Sequence, residues 1–186
     1  TWNAKFADVN NDTFQDLYTV TGSLSNPRRE TNYFYLNRDG KRFEDVTEDA
    51  GMKNYMATTC YTYTDFDLDG DLDIVAVPLT GPLEVHENRF PTKRSIRFQL
   101  IDQLGNPNAI GAKIVIRYGN GRGQYREIKA SCGFCSFDAA EAHFGLGEVD
   151  SGRQISIGWP DGEATVIDGP FQAGGGYTIT RSDRAG

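Results

Sequence analysis

The chain has 186 residues, with 19 Lys and Arg against 26 Asp and Glu and a net charge of −7. That length allows one large or two small domains with proper cores, and an acidic balance without a basic stripe excludes nucleic acid as a partner. No apolar run is long enough to span a membrane and no stretch has the pattern of a signal peptide. With 21 Gly, 9 Tyr and 11 Phe and no persistent helical apolar stripe, the composition reads as all-β with many turns.

The first informative segment is Asp8-Val9-Asn10-Asn11-Asp12-Thr13-Phe14-Gln15-Asp16, followed by a strand over Leu17-Tyr18-Thr19-Val20. Oxygen-bearing side chains at positions 1, 3, 5 and 9 of a tight loop, plus a carbonyl at 7, supply the hard oxygens that Ca²⁺ prefers. Asn10 replaces a carboxylate, and Thr13 stands where glycine would relieve positive-φ strain, so this copy is expected to bind weakly or to serve as a calcium-free turn. Asn11-Asp12-Thr13 is also an N-glycosylation sequon, which makes Asn11 a candidate glycan site at the outward-facing position 4.

A polar loop is predicted from Thr21 to Glu30, around Asn26-Pro27. Tyr33–Asn37 and Arg42–Thr47 are predicted strands, and Arg38-Asp39-Gly40 between them is a hairpin signal. Glu48 to Gly51 is expected to form a short helical turn ended by glycine.

Residues 57–64 and 74–78 are rich in β-branched and aromatic types and read as strands. Between them runs Asp65-Phe66-Asp67-Leu68-Asp69-Gly70-Asp71-Leu72-Asp73, five carboxylates in nine positions with Gly70 where the chain must turn sharply. So many like charges call for a cation. An EF-hand needs a Glu at position 12 and flanking helices; position 12 here is Ala76 and both flanks are strands. Asp8 and Asp65 lie 57 residues apart, near the period of propellers and solenoids. Leu83–Asn88 echoes Tyr33–Asn37 but no Asp-Gly hairpin partner follows it. The boundary is placed at Arg89-Phe90-Pro91-Thr92, dividing the chain into 1–92 and 93–186.

Beyond Lys93 the predicted strands are Ser95–Ile101, Ala112–Tyr118, Gln124–Ala130, Gln154–Trp159, Ala164–Ile167 and Tyr177–Arg181. Turns are expected at Gly119–Gly123, with its Asn120-Gly121 pair, and at Pro160-Asp161-Gly162. This half reads as a compact β-sandwich or half-barrel.

Cys132-Gly133-Phe134-Cys135 lacks the βαβ setting of a thioredoxin site and has too few partners for zinc. A local disulfide is the leading reading, with unpaired buried thiols next and redox catalysis a distant third. Cys60 is read as a buried thiol or half of an intermolecular bridge. His143 reads as a packed strand-turn histidine. His86 is flanked by Glu84 and Glu87, but no Ser or Cys sits in a nucleophile elbow. A retaining-glycosidase carboxylate pair is disfavoured because the carboxylates are committed to calcium. The chain is therefore expected not to be an enzyme.

Ala7 through Val20 and Asp65 through Val77 resemble FG-GAP/VCBS repeats, the calcium-bearing blades of integrin-α-like β-propellers, and Tyr35–Gly40 with Phe43–Thr47 and Ala50-Gly51 resembles the part between their loops. Residues 95 to 181 resemble the ASPIC/UnbV domain, through Ala109-Ile110-Gly111-Ala112-Lys113, His143-Phe144-Gly145-Leu146-Gly147 and Trp159-Pro160-Asp161-Gly162. The order is similar to that of bacterial proteins like cartilage acidic protein. The resemblance implies Ca²⁺ ligands at Asp65, Asp67, Asp69 and Asp73 with the Asp71 carbonyl, and at Asp8, Asn10, Asp12 and Asp16 with the Phe14 carbonyl. It also implies extracellular binding or adhesion; Cys132 and Cys135 depart from the family pattern.

A propeller needs several four-stranded blades, and this chain holds fewer than two. Its edges and faces would then be open to other chains, copies of itself included. The expectation is a secreted or cell-surface, calcium-stabilised structural protein that assembles into a filament or surface layer. The alternative is an adhesion or ligand-binding module excised from a longer propeller, consistent with a start at Thr1 rather than Met.

Overall fold

The computed structural model describes residues 1–22, 30–91, 94–102, 105–119 and 121–181. Residues 23–29 of the predicted polar loop, Thr92 of the predicted boundary and Asn120 of the Asn-Gly pair lie outside the described residues. The protein is all-β. Its strands are β1 (Asn3–Ala7), β2 (Asp16–Val20), β3 (Tyr33–Arg38), β4 (Arg42–Asp45), β5 (Thr58–Thr64), β6 (Asp73–Pro78), β7 (Glu84–His86), β8 (Ser95–Ile101), β9 (Lys113–Tyr118), β10 (Arg122–Glu127), β11 (Glu141–Gly145), β12 (Ser151–Gly158), β13 (Ala164–Gln172) and β14 (Gly176–Thr180).

Two compact units form. The first comprises Thr1–Val9, Phe14–Phe90 and Ser131–Asp138; the second comprises Asn10–Thr13, Pro91–Ala130 and Ala139–Gly186. The units part at Phe90/Pro91, two residues before the sequence division at 92/93, and they also exchange residues 10–13 and 131–138.

The first unit contains two antiparallel, blade-like sheets, a four-stranded one in the order β1-β2-β3-β4 and a three-stranded one in the order β5-β6-β7. The period-two alternation of side-chain direction along β2 and β6 points Tyr18, Val20, Ile74 and Ala76 into a shared core with Phe34, Leu36, Tyr61 and Tyr63. Tyr18 and Tyr61 meet edge to face at 4.8 Å, and the Tyr61 hydroxyl donates to the Tyr18 carbonyl at 2.6 Å. Burial raises the pKa of both phenols, so they stay neutral donors. The expected helical turn after β4 is present, with the Ala50 N–H on the Val46 carbonyl at 2.8 Å and Gly51 at φ 68°.

β1 escapes a reading by hydrophobic pattern because its inward positions are Asn3, Lys5 and Ala7. Residues 131–138 explain how they are buried. Asn3 Nδ2 donates to Ser136 Oγ at 2.8 Å, and Lys5 Nζ reaches Asp138 Oδ1 at 2.5 Å and the Tyr61 carbonyl at 2.8 Å. The same Asp138 oxygen accepts the Tyr63 N–H at 2.9 Å and the Thr62 hydroxyl at 3.1 Å. The Lys5 ammonium also lies 4.3 Å from the centre of the Tyr61 ring. Gly133 is required here: its φ is 117°, and a Cβ would stand 2.0 Å from Asn3 Oδ1.

The second unit has two sheets, β10-β9-β12-β13 and β11-β8-β14, with β14 parallel to β8. Ile96, Phe98, Ile114, Ile116, Phe144 and Ile155 lie at the centre of its core. The predicted turn at Pro160-Asp161-Gly162 is closed by the Gly162 N–H on the Trp159 carbonyl at 3.0 Å. β11 was not predicted, since its Glu-Ala-His-Phe-Gly sequence has neither strict alternation nor an apolar run.

Candidate metal centre

Asp65 sits just after β5, and Asp73 opens β6, so the two strands fix both ends of the second loop. The turn between them takes Leu68 to φ 62° and Gly70 to φ 96°. This folds the chain back so that one carboxylate oxygen each from Asp65, Asp67 and Asp73 lie within 4.8 Å of one another. Asp65 and Asp73 are buried and Asp67 is exposed. Three carboxylate oxygens at that spacing form a hard, anionic donor set, and a divalent cation would offset the repulsion among them. The residues therefore fit Ca²⁺, with Asp65, Asp67 and Asp73 as holders.

Asp73 has a second task. Its Oδ2 accepts the Phe66 N–H at 3.0 Å and its Oδ1 the Asn88 N–H at 2.8 Å. Burial pushes its carboxyl pKa up, those two backbone bonds oppose the shift, and the charges of Asp67 and Asp69 add to it. Asp69 does not join the cluster. Its carboxylate accepts the Asp71 N–H at 3.0 Å, while the Asp69 N–H itself donates to Asp65 Oδ1 at 3.0 Å. The fourth predicted carboxylate ligand thus props the turn. Asp71 is fully buried.

The first loop repeats part of this design. In the first unit, Asp16 Oδ2 accepts the Val9 N–H at 2.9 Å and Asp16 Oδ1 the Asn37 N–H at 2.9 Å, matching the bonds of Asp73. Asp8 and Asp16 are buried, and Phe14 is half-buried with its ring beside Gly40. In the second unit, Asn10 Nδ2 donates to Asp12 Oδ2 at 3.0 Å, and the Asp12 N–H returns a bond to Asn10 Oδ1 at 3.1 Å. An amide in place of a carboxylate lets these two side chains satisfy each other. Among the described residues, the Asp65, Asp67 and Asp73 set is the only metal-sized group of its kind.

Two predicted modifications are corrected. Asn11 does not face outward: it is fully buried, and its Oδ1 lies 2.7 Å from His143 Nε2. A glycan has no room on an amide so enclosed. Cys132 and Cys135 are both free thiols, as is Cys60. The Cys132–Ser136 turn is closed without a disulfide, by the Cys132 N–H on the Ser136 carbonyl at 3.1 Å. Burial raises the Cys132 thiol pKa, with the Asp138 charge adding to the shift.

Sequence reasoning missed Asn37 and Asn88 as partners of the loops. Asn37 Nδ2 donates to the Gln15 carbonyl at 3.1 Å and Asn88 Nδ2 to the Leu72 carbonyl at 3.1 Å. The signal was the echo of Tyr33–Asn37 in Leu83–Asn88, which ends on asparagine both times.

The paired acidic loops on blade-like sheets define a repeat region, and a β domain follows it in the chain. Residues 8–76 match the FG-GAP-like repeat family, and residues 103–185 match the family described as ASPIC and UnbV. The chain is thus an FG-GAP-like repeat region followed by an ASPIC and UnbV domain. This combination fits a β-rich module of the extracellular, adhesion type, and FG-GAP-like repeats generally bind calcium. No curated protein matches the chain. No helix among the described residues is long and apolar enough to cross a membrane.

Proposed function

We propose that this is a secreted or surface-exposed, calcium-stabilised structural protein that contacts other chains through open β edges and assembles with copies of itself. The observation that carries this reading is the inequality of the two blade-like sheets, four strands in one and three in the other. A sheet that ends early presents unpaired backbone groups to any extended chain that approaches. Calcium at Asp65, Asp67 and Asp73 would clamp β5 to β6 and keep that sheet in shape for contact. In this reading the role of the calcium is structural and the protein is not an enzyme.

Light scattering of the purified chain with Ca²⁺ and with chelator tests this. Growth of polymers that chelation reverses is the expected result. A monomer at every concentration in both conditions sinks the assembly claim and leaves an adhesion or ligand-binding module, which the family combination also supports.

A further inference from the structure

We propose that the outer edge of β7, with the cavity beside it, is the docking site for one extended strand of another polypeptide that carries the pattern of β4. This rests on the open-edge reading above and assigns one edge, that of β7, to a separate strand rather than to a second copy of the chain.

The two sheets of the first unit are copies in their bonding as well as their sequence. Asp16 holds the N–H groups of Val9 and Asn37, and Asp73 holds those of Phe66 and Asn88. The registers agree: Leu17 lies opposite Tyr35 and Tyr18 opposite Phe34, while Ile74 lies opposite His86 and Val75 opposite Val85. Residues 84–89 are therefore the counterpart of 33–38.

In the first copy the outer side of β3 is covered. β4 pairs with it from Tyr35 opposite Asp45 to Arg38 opposite Arg42. The pairing is finished at Phe34, whose carbonyl accepts the Val46 N–H at 2.9 Å and whose N–H donates to Thr47 Oγ1 at 2.9 Å. In the second copy β7 pairs with β6 alone among the described residues. Val85, the counterpart of Phe34, is 52% exposed. A cavity of about 610 Å³ opens beside it, lined by Met52, Leu72, Ile74, Val85, His86 and Phe90 among others.

An extended strand fits both features. Its backbone would pair with the outward groups of Val85 and Glu87, and alternate side chains would enter the cavity. Charge sets the pattern and the direction. Arg38 pairs with Glu44 of β4 at 2.5 Å, whereas its counterpart Arg89 has an 81% exposed side chain and reaches its own neighbour Glu87 at 3.1 Å. An incoming strand with an acid at the Glu44 place and an aliphatic residue at the Val46 place would satisfy Arg89 and the cavity together.

The probe is a synthetic peptide of residues 41–47 with blocked ends, added to the full chain in Ca²⁺, with amide hydrogen exchange as the readout. The Val85 and Glu87 amides are expected to slow by about tenfold or more. A Glu44→Lys peptide, which sets two cations face to face at Arg89, and a Glu87→Pro chain, which lacks an outward donor, should both lose the effect. Protection on β4 or β13 with β7 unchanged overturns this assignment while the open-edge reading survives. No protection at any edge overturns both. Exchange at Val85 and Glu87 that slows with chain concentration, without peptide, overturns the separate-strand occupant in favour of a second copy.

Discussion

Asp73 Oδ1 accepts the backbone N–H of Asn88 at 2.8 Å, which ties the last residue of a candidate calcium loop to the chain just past β7. The ninth position of the loop thus faces both ways, as a candidate metal ligand inward and as a clip for Phe66 and Asn88 outward. Asp67 has no such double duty; it is exposed and accepts one long bond, from the Asp69 N–H at 3.3 Å.

That contrast separates the two roles in a melting experiment. Asp67→Ala should cost under about 0.5 kcal/mol in chelator, as exposed substitutions do, and should remove most of the rise in Tm that Ca²⁺ gives the parent. Asp73→Ala leaves two N–H groups without their acceptor and should cost about 2–4 kcal/mol in chelator, and more in Ca²⁺, where a ligand of the metal is lost as well. Calorimetry of the three proteins in chelator and in millimolar Ca²⁺ checks this, and identical melting of the parent in both would remove calcium from the account.

Much of this was legible in the sequence, and the reasons are specific. The Asp-x-Asp-x-Asp-Gly spacing located the loop because converging oxygens need that order, and runs of β-branched and aromatic residues located β5 and β6. β1 and β11 were not legible, because their buried positions include Asn3, Lys5 and Ala142 beside His143. Their partners, Ser136 and Asp138 for the first and Asn11 for the second, lie more than a hundred residues away in the chain. The same distance hid the true position of Asn11, since a sequon reports side-chain identity and says nothing of what packs on it. The Cys132–Cys135 pairing failed because spacing alone does not orient two side chains.

Thr13 has a φ of 86° at the place where the second loop has Gly70 at 96°. A β-branched residue in that region carries about 1–2 kcal/mol of backbone strain, against about 0.5–1 kcal/mol of extra chain entropy that glycine must lose on folding. Thr13→Gly is therefore expected to raise stability by roughly 0.5–1 kcal/mol in urea unfolding. A loss of stability would mean that the Thr13 side chain contributes more than its strained backbone costs.

Lys5 is 7% exposed and its ammonium is neutralised by Asp138, itself 24% exposed. Asp138→Asn keeps an acceptor for the Tyr63 N–H and the Thr62 hydroxyl but strands the Lys5 charge among Tyr61 and Tyr63. It should cost about 2–4 kcal/mol, somewhat less than for a fully buried pair because Asp138 retains some solvent. Adding Lys5→Met should recover at least half of that loss. Chemical denaturation of the single and double variants decides the matter, and additive losses would show that the pair acts through packing alone.

His143 gives the stability of the fold a pH dependence whose sign can be worked out. Burial first, then the charges of Arg126 and Arg97, hold its pKa down to about 3 against an ordinary 6.5. Arg126 Nε donates to the His143 carbonyl at 3.1 Å, and Arg97 lies 3.5 Å from Glu141, which offsets part of its charge. The neutral ring faces Asn11 Oδ1 at 2.7 Å, so the Nε2–H tautomer donates there. The folded chain therefore stays unprotonated at this site while the unfolded chain takes up a proton below pH 6.5. The contribution is complete above that pH and drains away as pH falls toward 3, at a limiting slope of about 1.4 kcal/mol per pH unit. His143 is half-buried, so the realised slope should be smaller. Between pH 7.5 and 5, above most carboxylate titration, the parent should lose about 1–2 kcal/mol in urea unfolding. His143→Gln, which can still donate to Asn11 and carries no proton to titrate, should show a visibly flatter profile over the same range. Parallel profiles would place the folded His143 pKa near its ordinary value and remove it as the source of acid sensitivity.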